Sequence, residues 1–283
     1  NAGLPMAMAL LGHKVTILTY PEQMKLQKGG EGRGLFEPIS NMVREDFEKF
    51  KHASKEIGYK KLNLIGHSLG GAMVIGIASH PEFVSDIEVE NVVAVAPTGF
   101  EKRNVAAISV DFLKEGAKLM KDPEAKVFLD QGVIDANRPS GVGGKGILGL
   151  PKMAWDSWSG GEAAATKMIT SKVLARASSN IKGDLEIWTS SEDKIVNDDV
   201  IAETIQFAPI TSNNVSHYSL EGGNHNSFFT EAFGFARVRQ EEQQARHDAQ
   251  TPFIGKKVSI DSLERSGAEY LFKQVLEPVS GAA

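Results

Sequence analysis

The sequence contains no cysteine, which excludes disulfides, thiolate metal sites, iron–sulfur clusters and a cysteine nucleophile together. It also lacks any apolar run approaching the roughly 18 residues that a membrane-spanning helix needs, so no transmembrane segment is expected. Neither sign of charge dominates: 31 Lys and Arg stand against 36 Asp and Glu, a formal net charge of −5. No basic cluster offsets that balance, which argues against a nucleic-acid partner. The seven histidines are scattered, without a His-Glu-x-x-His or other close pairing of metal ligands. No resident metal is expected.

What remains is a chain of 283 residues with 41% apolar and 24% charged content, enough for one large or two small domains with a sizeable core. It opens on Asn1 and enters an apolar stretch at once, which reads as a fragment or a processed chain. No positive residues precede that stretch and no small-x-small site follows it, so a secretory signal is not favoured. A cytoplasmic location is the expectation, and a homo-oligomer is left open.

Strand-like and helix-like segments alternate through the first hundred residues, the pattern of a parallel sheet with crossover helices. Residues 4–11 read as a short helix ended by Gly12, and 13–20 (HKVTILTY) as a β-branched strand. A glycine-rich loop at 21–38 precedes a helix capped by Ser40 or Asn41 and closed by Gly58, with Val43, Phe47, Phe50 and Ile57 at helical spacing. Strands follow at 62–65 and 91–96, separated by a helix ending near His80-Pro81. From residue 98 to 183 the alternation stops and the sequence is mostly helical, with a glycine-rich interruption at 140–149, so this segment is expected to be a helical cap inserted between core segments 1–97 and 184–283. Strands resume at 185–189 (LEIWT) and 215–220, and the tail carries two helices. The second begins with Asp261-Ser262-Leu263-Glu264, shaped like a capping box, and is expected to bury Leu263, Leu271 and Val275.

The strongest chemical signal is Gly66-His67-Ser68-Leu69-Gly70, placed between the strand LNLI and an apolar helix. A serine in a strained strand-to-helix turn presents its hydroxyl at the sheet edge, and small neighbours let the backbones approach. The helix N-terminus favours negative charge on an attacked carbonyl oxygen, with the Leu69 N–H as one donor. A serine hydroxyl needs a base, and the base an orienting carboxylate. Asp193 follows the LEIWT strand and His225 follows the HYSLE strand, both just past strand ends, where parallel sheets build their sites. Asp193 competes with Glu192, Asp198 and Asp199. His225 competes with His217, which lies at the start of its strand and hence at the wrong end of the sheet. His67 is expected to pack beside Ser68 rather than to transfer protons.

In these motifs and their order, Ser68, then Asp193, then His225, the chain resembles the α/β-hydrolase superfamily over about residues 1–230. The resemblance implies a mostly parallel sheet with flanking helices and a cap. By it, Ser68 is similar to the nucleophile, Asp193 to the acid, His225 to the base and Leu69 to one oxyanion donor. Tyr20 and His67 would lie near the pocket as substrate-binding candidates, with Trp155, Trp158 and Phe112 of the cap as candidates for an acyl-binding surface. The implied activity is hydrolysis of a carboxylic ester or related small acyl substrate, with no cofactor. Acyltransferase and cofactor-free haloperoxidase chemistry use the same triad, and a catalytically silent binding protein is the reading from another class.

The family supplies its first strands and its second oxyanion donor from a segment that would precede Asn1, so both are expected to be missing and a sheet edge to be exposed. Two phosphate-binding readings fare worse. Asn1-Ala2-Gly3 followed by Glu22 lacks the leading glycines of a dinucleotide fingerprint, and Gly144-Lys145 is followed by Gly146 where a phosphate loop needs Ser or Thr. A third reading gives the tail from Glu231 to Ala283 a scaffold role.

Overall fold

The computed structural model describes residues 3–10, 12–15, 52, 61–84, 88–119, 165, 167–210 and 213–276. The described elements run, in chain order, α1 (Gly3–Leu10), β1 (Lys61–His67), α2 (Leu69–Ala78), α3 (Pro81–Val84), β2 (Glu88–Val95), α4 (Val105–Leu119), α5 (Ser171–Asn180), β3 (Leu185–Ser190), α6 (Asp198–Gln206), β4 (Val215–Glu221), α7 (Ser227–Thr230), α8 (Ala232–Ala249), β5 (Lys256–Ser259) and α9 (Ile260–Leu276). The expected loop at 21–38, the helix closed by Gly58, the glycine-rich interruption at 140–149 and most of the strand at 13–20 lie outside the described residues, as do Tyr20, Trp155 and Trp158.

The five strands form one sheet in the order β1-β2-β3-β4-β5, and every neighbouring pair is parallel. Strands of such a sheet are covered on both faces, so their sequences read as near-continuous buried runs. Residues 92–95 of β2, all of β3 and 215–220 of β4 are accordingly buried. The pleat then decides what each side chain meets. On one face Trp188 stacks on its register partner Tyr218 with ring centroids 4.3 Å apart, and Phe235 of α8 packs edge-on against Trp188. Glu186, on the same face, takes two hydrogen bonds from Arg239 of α8, at 2.9 and 2.7 Å. The alternate residues Thr189 and Ser219 turn the other way and bond to Asp198 at the start of α6.

Helices α1, α8 and α9 pack together on the first face, and α2, α5 and α6 on the second. Helix α2, LGGAMVIGIA, is apolar all round because it is sandwiched between the sheet and α5; its residues 71–78 are buried. Helix α5 falls within the segment expected as a cap, and its Leu174 and Ala177 join the core that includes the sheet strands and α2. Helices α8 and α9 cross at Gly234, where an added Cβ would lie 1.7 Å from the Leu263 carbonyl oxygen, so only glycine permits that approach.

Two expectations need correction. The tail contains a strand as well as two helices: β5 pairs with β4 at the sheet edge. The last helix starts at Ile260, one residue before the expected cap, and Asp261 donates its N–H to Ser259 Oγ at 3.2 Å, so Asp261 lies in the first turn instead of capping it. Leu263 is buried as expected. Among the described residues no helix is long and apolar enough to cross a membrane.

Candidate active site

Because all five strands run the same way, everything that follows a strand emerges along one edge of the sheet. Ser68 follows β1, Asp193 follows β3 and His225 follows β4. Ser68 joins β1 directly to α2 with φ 56° and ψ −120°, a left-handed conformation that costs a non-glycine residue on the order of 1–3 kcal/mol and persists only when its surroundings enforce it. They do so through the backbone. Ser68 N–H donates to Val95 O at 2.8 Å, and Ser68 O accepts from Ala72 N–H and Thr98 N–H, both at 3.2 Å. The turn closes so tightly that a Cβ on Gly66 would lie 2.1 Å from the Gly70 carbonyl oxygen, and one on Gly71 would lie 2.9 Å from Pro97 Cβ. Gly70 itself has open space where a Cβ would go; its contribution is the backbone that Gly66 must approach.

Asp193 sits in the loop between β3 and α6, with its side chain fully buried. Its Oδ1 accepts from the N–H groups of Ile195 and Val196, at 2.7 and 3.0 Å, and its Oδ2 accepts from Nδ1–H of His225 at 2.7 Å. Three hydrogen bonds offset the cost of burying a carboxylate. The two loops are laced together: Ser191 N–H donates to Leu220 O, Glu192 N–H to Gly223 O and Gly222 N–H to Ser191 Oγ. The His225 ring is buried and tilted against that of His67, with centroids 4.7 Å apart, and His67 Nε2–H donates to the His225 carbonyl oxygen at 2.8 Å. Burial first, and the neighbouring His225 second, push the His67 imidazole down to about 3, which keeps it a neutral donor. His67, the residue preceding Ser68, thereby ties that turn to the loop that carries His225.

Two of the rival candidates named from sequence, Asp198 and His217, find each other instead. His217 lies in the middle of β4 on the face covered by α6, where its Nε2 is 2.9 Å from Asp198 Oδ1 and 2.8 Å from Thr189 Oγ1. Ser219 Oγ donates to Asp198 Oδ2 at 2.6 Å, and Thr189 Oγ1 bonds to Oδ1. Burial raises the Asp198 carboxyl, but the hydrogen bonds from His217, Ser219 and Thr189 and the charge of His217 outweigh it and hold the group well below the usual carboxylate range. This pair ties α6 to the sheet through Thr189 and Ser219, near the C-terminal ends of β3 and β4. Among the described residues no group of three or more His, Asp or Glu side chains is placed to hold a metal ion.

One charged residue beside the site had no signal in the sequence. Arg103, between β2 and α4, donates from Nη1 to the carbonyl oxygens of Lys194 and Ile195 at 2.6 and 2.7 Å and from Nη2 to Asp111 at 3.3 Å. It also lines a groove of about 570 Å³ beside the acid loop, together with Glu101, Ser190, Asp193, Asp198 and Lys257. The two carbonyl oxygens it grips lie more than ninety positions along the chain, beyond the reach of any motif or periodicity.

No family model and no curated relative matches the chain. Among solved structures it is similar to a lipase-esterase related protein from Clostridium acetobutylicum, at 15% identity and a TM-score of 0.41, covering 72% of this chain and 74% of that one. A metagenomic alpha/beta hydrolase enzyme from lagoon sediments gives 16% identity and a TM-score of 0.39, covering 74% and 71%. A carboxylesterase from Bacillus subtilis gives 14% identity and 0.38, covering 73% and 66%. The roles of the residues rest on the geometry above.

Proposed function

We propose that the protein is a serine hydrolase of the α/β-hydrolase superfamily, cleaving a carboxylic ester or a related acyl compound. The observation that carries this reading is a meeting on one sheet edge. A serine held at positive φ between a strand and a helix lies next in the chain to His67, whose ring packs on a histidine braced by a fully buried aspartate.

In the proposed reaction Ser68 Oγ attacks the acyl carbonyl carbon while His225 Nε2 takes its proton. The Nδ1–H bond to Asp193 Oδ2 fixes the tautomer that leaves Nε2 as the acceptor, and it stabilises the imidazolium that forms. The Leu69 N–H, at the first position of α2, donates to the oxyanion along with the helix dipole. His225 returns the proton to the leaving alcohol, and a water, deprotonated by the same ring, releases the acid and restores Ser68. His67, held neutral, acts as a spacer that sets the His225 ring.

In the same reading residues 1–97 and 184–283 form the catalytic core. Residues 98–183, apart from α5, form a cap that offers Trp155 and Trp158 to the acyl group, with Tyr20 near the pocket mouth. The test is hydrolysis of a short and a long p-nitrophenyl ester by the protein and by Ser68→Ala and His225→Ala. Turnover lost in both variants supports the reading. Turnover that survives both contradicts it.

A further inference from the structure

Resting on that reading of Ser68, Asp193 and His225, the geometry points to Arg103 as a positioning residue for the acid. It acts on Asp193 through two consecutive peptide groups. The first is the Lys194–Ile195 peptide: its carbonyl oxygen accepts from Arg103 Nη1 at 2.6 Å, and its N–H donates to Asp193 Oδ1 at 2.7 Å. The second is the Ile195–Val196 peptide: its carbonyl oxygen accepts from the same Nη1 at 2.7 Å, and its N–H donates to the same Oδ1 at 3.0 Å. A cation thus grips the acceptor end of both amides whose donor ends converge on one carboxylate oxygen.

Two consequences follow from this arrangement. A donor at a carbonyl oxygen polarises the amide and strengthens its N–H as a donor, so the guanidinium reinforces both bonds to Oδ1. With Oδ1 held in this way, the carboxylate is fixed in the rotation that aims Oδ2 at His225 Nδ1. The planar guanidinium suits this task because its geometry is rigid. It is oriented in turn by Asp111 on α4, at 3.3 Å from Nη2, and by Glu101, at 3.7 Å from Nε. The backbone N–H of Arg103 is anchored on Ala165 O at 2.9 Å. The segment that leaves β2 toward α4 therefore sets the orientation of a residue in the loop that follows β3, and the bonds it uses go to backbone carbonyls, which leave no trace in residue identity.

The test compares the full chain with Arg103→Met, Arg103→Lys and Asp111→Asn, after matching their thermal unfolding. In Arg103→Met the expected result is a fall in kcat of roughly tenfold to a hundredfold, as expected for a catalytic group displaced by about an ångström, with KM within about twofold. The far-downfield proton resonance of the His225–Asp193 bond should move upfield or broaden in the same variant. Arg103→Lys, which keeps a cationic donor, recovers part of both signals, and Asp111→Asn, which removes one of the two carboxylates that orient the guanidinium, gives a smaller loss of both than Arg103→Met. Should Arg103→Met fail to fold, Arg103→Lys against the wild type supplies the same two readouts. Wild-type resonance and kcat in a folded Arg103→Met overturn the inference while leaving the proposed hydrolase standing. A wild type with neither ester turnover nor fluorophosphonate labelling overturns the hydrolase reading, and the positioning role falls with it.

Discussion

Asp193 holds His225 with one carboxylate oxygen and is itself held by the other: Oδ2 takes Nδ1–H at 2.7 Å, and Oδ1 takes the N–H groups of Ile195 and Val196. An amide in its place would present either the wrong tautomer to the imidazole or a donor against two donors. Asp193→Asn is expected to lower kcat by about 10⁴, the scale of losing the correct histidine tautomer in a Ser-His-Asp site, with KM little changed. Steady-state ester hydrolysis measures this, and an Asn variant within tenfold of wild type would remove Asp193 from the mechanism.

Asp198 makes a similar number of bonds for a different end. Its carboxyl lies well below its ordinary range when folded, so the folded state resists protonating it while the unfolded chain does not. That stability is present above the unfolded carboxylate range near pH 4 and is lost as pH falls below it. Asp198→Asn should keep ester hydrolysis within a few-fold at pH 7 and should lose less stability than wild type between pH 5 and pH 3. Urea midpoints across that window check both signs; an Asn variant with the wild-type slope would mean that the His217 and Ser219 bonds are not what depresses the group.

His67 carries a second pH dependence with the same sign. Its imidazole is lowered from 6.5 to about 3 in the fold, so between those values the unfolded chain binds a proton that the folded chain refuses, and stability declines as pH falls from 6.5. His67→Gln retains a donor for the His225 carbonyl oxygen and removes the titration. It should therefore flatten the stability profile between about pH 6.5 and 4.5, measured by denaturant midpoints; equal slopes would place the titrating group elsewhere.

The glycines around Ser68 divide sharply. A Cβ on Gly66 meets the Gly70 carbonyl at 2.1 Å, a backbone atom that cannot swing aside, whereas a Cβ on Gly70 meets nothing within 4 Å. Gly66→Ala is expected to cost about 3 kcal/mol or more, in the tail of mutational effects reserved for overpacking. Gly70→Ala, in the first turn of α2, should be neutral or stabilising by up to about 1 kcal/mol. Thermal unfolding of the two variants checks the contrast, and comparable losses in both would contradict it.

Much of this was legible in the sequence, for identifiable reasons. Strands β2 and β3 announce themselves as largely buried runs because a parallel sheet is covered on both faces, and Ser68, Asp193 and His225 each follow a strand expected from the sequence. Strand β5, KKVS, was missed because it is four residues long, carries two lysines and pairs only with β4 at the sheet edge, where charged side chains are commonplace. The choice among the carboxylates and between the two histidines turns on matters that spacing barely constrains. The pleat of β4 turns His217 toward α6, and two backbone N–H groups seize Asp193. Arg103 was invisible, since it recognises carbonyl oxygens that any residue would supply.

The proposed function stands or falls on Ser68 as a nucleophile activated by His225. Its most direct test is labelling of the folded protein with a fluorophosphonate probe, followed by peptide mapping, alongside His225→Ala. The account predicts one adduct, on Ser68, formed with the wild type and strongly slowed without the imidazole. An adduct on another residue, or none on a folded wild type, would contradict it.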